Sequence, residues 1–314
     1  MVKKQILKKI IISSALLFSI FLMCLMSNKE TNEIKQELVY IDNEIKKENI
    51  YLLDRNNFLA RTSVLIDNED IELKAKELLN ILIKDSSEEN KIPSGFKGVI
   101  PSNTEILSLE YKNNLIKVNF NNYLLDVKED EEEKVIEAII YTLTSIEEVK
   151  KVIIYVDGNI LTKLPKSKIN LPSTLDRSYG INKEYNLKDY KDVTKVTIYY
   201  LNNYNDEIYY VPVTKYLNDN RNKMEIVIDE LSNSNNNLMS YLNSNTLLLD
   251  TKIKDNTLFL TFNEYIFNNQ DERKILDEVK NSISLSAKDN LDIDKVVFNY
   301  NEKEICKTVI KSIE

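Results

Sequence analysis

The chain has 314 residues, with 42 Lys and Arg against 50 Asp and Glu for a net charge of −8, and 43% apolar residues, the profile of a globular protein long enough for two domains. It contains no His, no Trp, two Cys and four Gly. That excludes Ser-His-Asp and Cys-His sites, His-ligated zinc, a four-Cys metal site, a GxGxxG turn and a P-loop.

At the start, Lys3, Lys4, Lys8 and Lys9 precede an apolar run from Ile10 to Met26, 17 residues long and broken only by Ser13, Ser14 and Ser19. A basic flank before an apolar segment at the short end of the ~17–25 residues that span a bilayer reads as an N-terminal anchor, residues 1–27, with the rest of the chain outside the cytoplasmic membrane. Two other readings stay open. One is lipidation at Cys24, although Phe21-Leu22-Met23 precede it where small residues are wanted. The other is cleavage, although no A-x-A-like site is present. Residues 28–48 are polar and read as a stalk.

From 49 to 160 the pattern is strand, strand, helix, strand, strand, helix, strand. Tyr51-Leu52-Leu53 with Phe58-Leu59 makes an opening hairpin, and Ile71, Ala75, Leu78, Leu79 and Leu82 fall on one helical face. Ile116, Val118 and Phe120 alternate as a half-buried strand after an Asn-rich turn. Glu129 to Glu133 open the second helix, where carboxylates complement the macrodipole, and do not converge on a metal ion. Val135, Ile136, Ile139, Ile140 and Leu143 form that helix's stripe, with Thr142 and Thr144 expected to bond back to the preceding turn, and Val149–Val156 closes the unit. Asp67 and Asp70 before the first helix read as capping or surface residues.

Residues 161–195 hold Pro165, Pro172 and Gly180 and read as a linker. From 196 to 302 the unit recurs. Lys112–Tyr123 returns as Lys254–Tyr265, Phe120 and Phe262 being 142 residues apart. Met224, Val227, Ile228 and Leu231 repeat the first helical stripe, Ile275, Leu276, Val279 and Ile283 the second, and Ile293–Tyr300 the closing strand. Asp292 and Asp294 at that strand's edge read as surface residues. A spacing this long is a duplicated domain, not a solenoid repeat. Mixed elements in this order predict an α+β fold with helices packed on one face of a sheet in each copy. Residues 303–314 read as a tail in which Cys306 is a small half-buried residue.

Tyr199, Tyr200, Tyr204, Tyr209 and Tyr210 crowd the second opening hairpin. Such tyrosines either alternate between core and solvent or form a partly wet aromatic interaction surface. The second alternative makes them the candidate interaction residues. No catalytic, cofactor-binding or metal-binding residue is expected. Lys interleaved with Asp and Glu leaves no cationic face for nucleic acid.

The first copy resembles a GerM domain. The resemblance is carried by Ile100-Pro101-Ser102-Asn103-Thr104, Lys117-Val118-Asn119-Phe120, Ile140-Tyr141-Thr142-Leu143-Thr144 and Tyr155-Val156-Asp157-Gly158. In the second copy Tyr210-Val211-Pro212-Val213-Thr214 matches the opening block, while Asn281-Ser282-Ile283-Ser284 and Asn301-Glu302 stand at the places of Tyr-Thr-Leu-Thr and Asp-Gly. Leu175-Asp176-Arg177-Ser178 with Ile181-Asn182 is similar to the linker of tandem GerM proteins. The resemblance implies a small, ring-building-motif-like α+β fold in each copy and an exported, membrane-attached protein of sporulation or spore germination without catalysis or cofactor. The expected function is a non-catalytic extracytoplasmic scaffold that associates with envelope or sporulation proteins, with self-association left open. The alternatives are an accessory or enzyme of peptidoglycan metabolism and an envelope ligand-binding lipoprotein.

Overall fold

The computed structural model describes Ser14 and residues 47–313 apart from Asp67, 234–236 and Gln270. The apolar run 10–26, most of the stalk, and Asp67 therefore lie outside the described residues.

In the first copy, β1 (Lys47–Leu53) and β2 (Leu59–Leu65) form an antiparallel hairpin, followed by α1 (Ile71–Leu82). Asp70 caps α1 by accepting from Leu73 N at 2.9 Å. A second sheet has the order β3 (Ile106–Lys112), β4 (Leu115–Phe120), β5 (Lys151–Val156), β6 (Asn159–Ile160). Asn113 and Asn114 turn the β3–β4 hairpin with φ of 51° and 61°, a conformation that Asn tolerates better than other non-glycine residues. β4 and β5 run parallel, so a crossover is needed, and α2 (Glu132–Leu143) supplies it with ten buried residues. Glu132 and Glu133 sit in its first turn, at the positive end of the helix dipole.

The linker does more than connect. Leu161, Leu164, Leu171, Leu175 and Ile181 are buried in the first core, and β7 (Glu184–Asn186) pairs with the second copy's hairpin.

The second copy repeats the plan with β8 (Thr194–Tyr204), β9 (Glu207–Leu217), α3 (Lys223–Ser232), β10 (Leu248–Lys254), β11 (Thr257–Phe262), α4 (Asp277–Leu291) and β12 (Lys295–Tyr300). Residues 303–309, expected as part of a tail, form β13 (Lys303–Val309) on the edge of the sheet β10-β11-β12-β13. Cys306 lies half-buried in it, and burial pushes its thiol up, away from the reactive thiolate. Ile275 and Leu276, expected inside the last helix, precede it. Leu276 is the N-cap, and Ile275 stays buried one residue earlier.

Residues 45–314 form one compact unit because the opening hairpins share a sheet. Its order is β1-β2-β9, with β8 and β7 both paired to β9. β2 and β9 are equivalent strands, and they meet antiparallel with Arg61 opposite Tyr210. The copies therefore face each other across a local two-fold axis, like subunits of an isologous dimer joined in one chain.

Candidate functional site

Near this axis, equivalent residues touch one another. Tyr51 on β1 and Tyr199 on β8 each give the backbone N–H to a helix hydroxyl, Thr142 Oγ1 at 3.1 Å and Ser286 Oγ at 2.9 Å. Thr142 thus ties α2 to the sheet, while Thr144 bonds back to the Ile140 carbonyl at 2.7 Å. Ser286, not a residue of 281–284, is Thr142's counterpart, so copy two places its equivalent of Tyr-Thr-Leu-Thr one helical turn later than its sequence suggests.

The Tyr51 and Tyr199 hydroxyls lie 2.9 Å apart. Tyr199 gives its proton to Asp289 Oδ2 at 2.8 Å, so Tyr51 is the donor to Tyr199. Arg177 completes the network from a single turn (Arg177–Tyr179) that Asp176 caps through Ser178 N at 2.7 Å. Its Nη1 donates to Asp289 Oδ1 at 2.7 Å. Its other N–H groups reach Thr144 Oγ1 at 3.1 Å, Ser145 Oγ at 3.2 Å and the Tyr141 carbonyl at 3.3 Å. Arg177 also sits 4.8 Å over the Tyr141 ring. A charge from the linker is thus neutralised by one copy and hydrogen-bonded by the other. Burial, reinforced by Asp289, pushes Tyr141 and Tyr199 well above the usual phenol range, so both are neutral donors and neither is a tyrosinate nucleophile at neutral pH.

Two further polar clusters close the seam. Asn182 fills the gap where β2 and β9 share one paired position, accepting from Leu59 N at 3.0 Å and donating to the Leu59 and Pro212 carbonyls at 2.8 Å each. Beside it, Lys183 lies 2.5 Å from Glu133 and 3.5 Å from Glu137, and Glu137 accepts from Asn182 N at 2.9 Å. Burial raises Glu137 to about 7, against the pull of Lys183 and the Asn182 N–H. At the other end Asp54, 1% exposed, accepts from Asn202 at 3.1 Å and Tyr209 at 2.9 Å.

Of the five tyrosines offered as a candidate interaction surface, four are buried and Tyr204 is partly buried. Tyr199 and Tyr200 are 1% and 0% exposed, and Tyr209 and Tyr210 are 9% and 8%. The cause is what packs on this hairpin: α4 brings Ser286 and Asp289 to Tyr199, α3 brings Glu230 to the Tyr200 hydroxyl, and the first copy brings Phe96 and Asp54 to Tyr209. Tyr204 is partly buried, under the Arg55 guanidinium at 4.0 Å and against Gly95, where a Cβ would stand 2.4 Å from the ring. Sequence reasoning singled out Arg177 through its motif but missed Asp289, Ser286 and Asp54. Their one signal is polarity within apolar stripes.

Above the seam lies a cleft of about 610 Å³. Tyr51, Tyr199, Arg177 and Asp289 line it together with Arg61, Val149, Leu285 and Ile310, with Lys150, Lys151, Lys288 and Lys311 among its other lining residues. No group of three or more Cys, Asp or Glu poised for a metal ion is present among the described residues. Asp292 ends α4 in a left-handed conformation, and Asp294 pairs with Lys288 at 3.2 Å, both surface roles.

Comparison with known proteins gives consistent findings. The family model described as Germane, sporulation and spore germination, matches residues 49–162 and again 197–306. The spore germination protein GerM of Bacillus subtilis (strain 168) is 30% identical over 263 residues, which cover 81% of this chain and 71% of that protein. The solved structure of the tandem GerMN domains of the sporulation protein GerM from Bacillus subtilis matches with a TM-score of 0.75 at 28% identity, over 82% of this chain and 92% of that one.

Proposed function

The chain belongs to the Germane family of sporulation and spore germination, and we propose that it acts in one of those processes as a non-catalytic scaffold outside the cytoplasmic membrane. The observation that carries this reading is the seam. Its charged and hydroxyl groups, Arg177, Asp289, Tyr51 and Tyr199, are engaged with one another, which suits holding two copies in one fixed relation and leaves no activated nucleophile among them. A single unit with two diverged copies presents two different surfaces at a set geometry, which favours bridging of partners.

The run Ile10–Met26 with its lysine flank supports attachment to the cytoplasmic membrane through the N-terminus. No described helix is long and apolar enough to cross a membrane. The partners in this reading are other envelope proteins, reached by surfaces other than the tyrosine hairpin.

Crosslinking with mass spectrometry in sporulating cells tests the proposal. Envelope proteins should be captured by the full chain, and capture should fail when the apolar run is deleted. A substitution that abolishes function while leaving the protein folded and still crosslinked to its partners would point to chemistry and defeat the scaffold reading. Cys24→Ser should leave the protein in the membrane fraction, and its release would establish lipidation.

A further inference from the structure

Arg61 stands on β2 at the centre of the shared sheet, and it lines the cleft between the copies. The residue is 5% exposed, yet the one hydrogen bond of its guanidinium among the described residues runs from Nη2 to the Ile313 carbonyl. A guanidinium carries five N–H donors and a permanent charge, and burying that charge without an anion is strongly unfavourable. Arg177 in the same cleft is the internal contrast, because Asp289 neutralises it.

The rim shows the same imbalance. Lys288 is held by Asp292 and Asp294 at 3.2 Å each, and Lys311 pairs with Glu147. Lys150 and Lys151 have no ion pair among the described residues. The cleft lining thus carries six basic against five acidic residues in a chain whose net charge is −8.

We propose that this cleft binds a carboxylate-bearing ligand of the size of a short acidic peptide. Arg61 takes the carboxylate at the floor in a two-pronged contact, which the planar guanidinium geometry favours. Lys150 and Lys151 attract it at the rim, and Val149, Leu285 and Ile310 cover its aliphatic part. The cleft volume of about 610 Å³ lies within the ~300–1,000 Å³ usual for small-ligand sites. Asp292 and Asp294 at the cleft disfavour polyanions, so a ligand with one or two charges fits better than a polyphosphate. The assignment is independent of the scaffold reading.

The test titrates the purified full chain, in mild detergent, with four probes: glutarate, a capped Ala-Glu-Ala peptide, its Gln counterpart and inorganic phosphate. Calorimetry reads affinity, and acetylation mapped by mass spectrometry reads protection of Lys150 and Lys151. Glutarate and the Glu peptide should bind at millimolar concentration or better and protect both lysines, with the Gln peptide at least about tenfold weaker. Arg61→Met should weaken glutarate about tenfold or more. Because that residue is buried, the exposed pair Lys150→Ser/Lys151→Ser gives a second reading that does not depend on folding, a loss of about threefold with a flatter salt dependence. Absence of saturable carboxylate binding, phosphate binding more tightly than glutarate, or affinity unchanged in both variants would each overturn the assignment.

Discussion

Replacing Arg177 by Met strikes the seam at a buried charged crossing. The guanidinium leaves, and with it go the bonds to Asp289, Thr144, Ser145 and the Tyr141 carbonyl. Asp289, whose side chain is 3% exposed, then keeps Tyr199 Oη as its one remaining side-chain hydrogen-bond donor among the described residues. Removing one partner of a buried ion pair costs ~3–5 kcal/mol because the other charge is stranded. Arg177 retains 25% of its side-chain surface, so water screens part of the pair, and the expected loss is about 2–4 kcal/mol. Removing the stranded charge as well should return part of that loss. Arg177→Met/Asp289→Asn should therefore be less destabilised than the sum of the two single changes by about 1–3 kcal/mol. Urea unfolding of the four proteins, followed by circular dichroism, measures each term. An Arg177→Met loss below about 1 kcal/mol, or strict additivity in the double variant, would refute the view that this pair joins the copies.

Leu143, fully buried in α2, should leave a cavity when changed to Ala and cost about 2–5 kcal/mol, visible as a lower urea midpoint. Tyr200→Ala should act like a core change of about 3–5 kcal/mol, since Tyr200 is 0% exposed, and a variant of unchanged melting temperature would contradict that placement. Gly95→Ala should destabilise by displacing the Tyr204 ring, and calorimetry would show whether Tyr204→Ala in the same chain relieves it. For pH, Glu137 is raised from 4.5 to about 7, so the native state holds its proton more tightly than the unfolded chain. The stability linked to it is full below about pH 4.5 and is lost as pH rises to about 7, by roughly 1–3 kcal/mol. Glu137→Gln should flatten that window in melting curves recorded from pH 4 to 8, and an unchanged slope would count against it.

The elements themselves were legible in the chain because their determinants are local. Stripes such as Val135, Ile139 and Leu143 need one helix to be buried, and Ile116, Val118 and Phe120 need one strand. The duplication was legible for the same reason, since both copies keep the same period and the same Asn-rich turns. Divergence hid part of the correspondence. Ser286 does the work of Thr142 although its neighbours differ, because what was retained is one hydroxyl aimed at one strand N–H.

What the sequence by itself determined was a duplicated α+β chain with a basic, apolar start and no His-based chemistry. Only the tertiary structure decided where the tyrosines lie. A tyrosine suits either a wet surface or a buried seam, since the ring gains from burial and the hydroxyl needs one partner. The choice between them was made by the antiparallel meeting of β2 and β9, a pairing between strands about 150 positions apart that no local pattern encodes. That pairing set the two copies against each other, brought Arg177 to Asp289, and left Arg61 with no ion pair among the described residues.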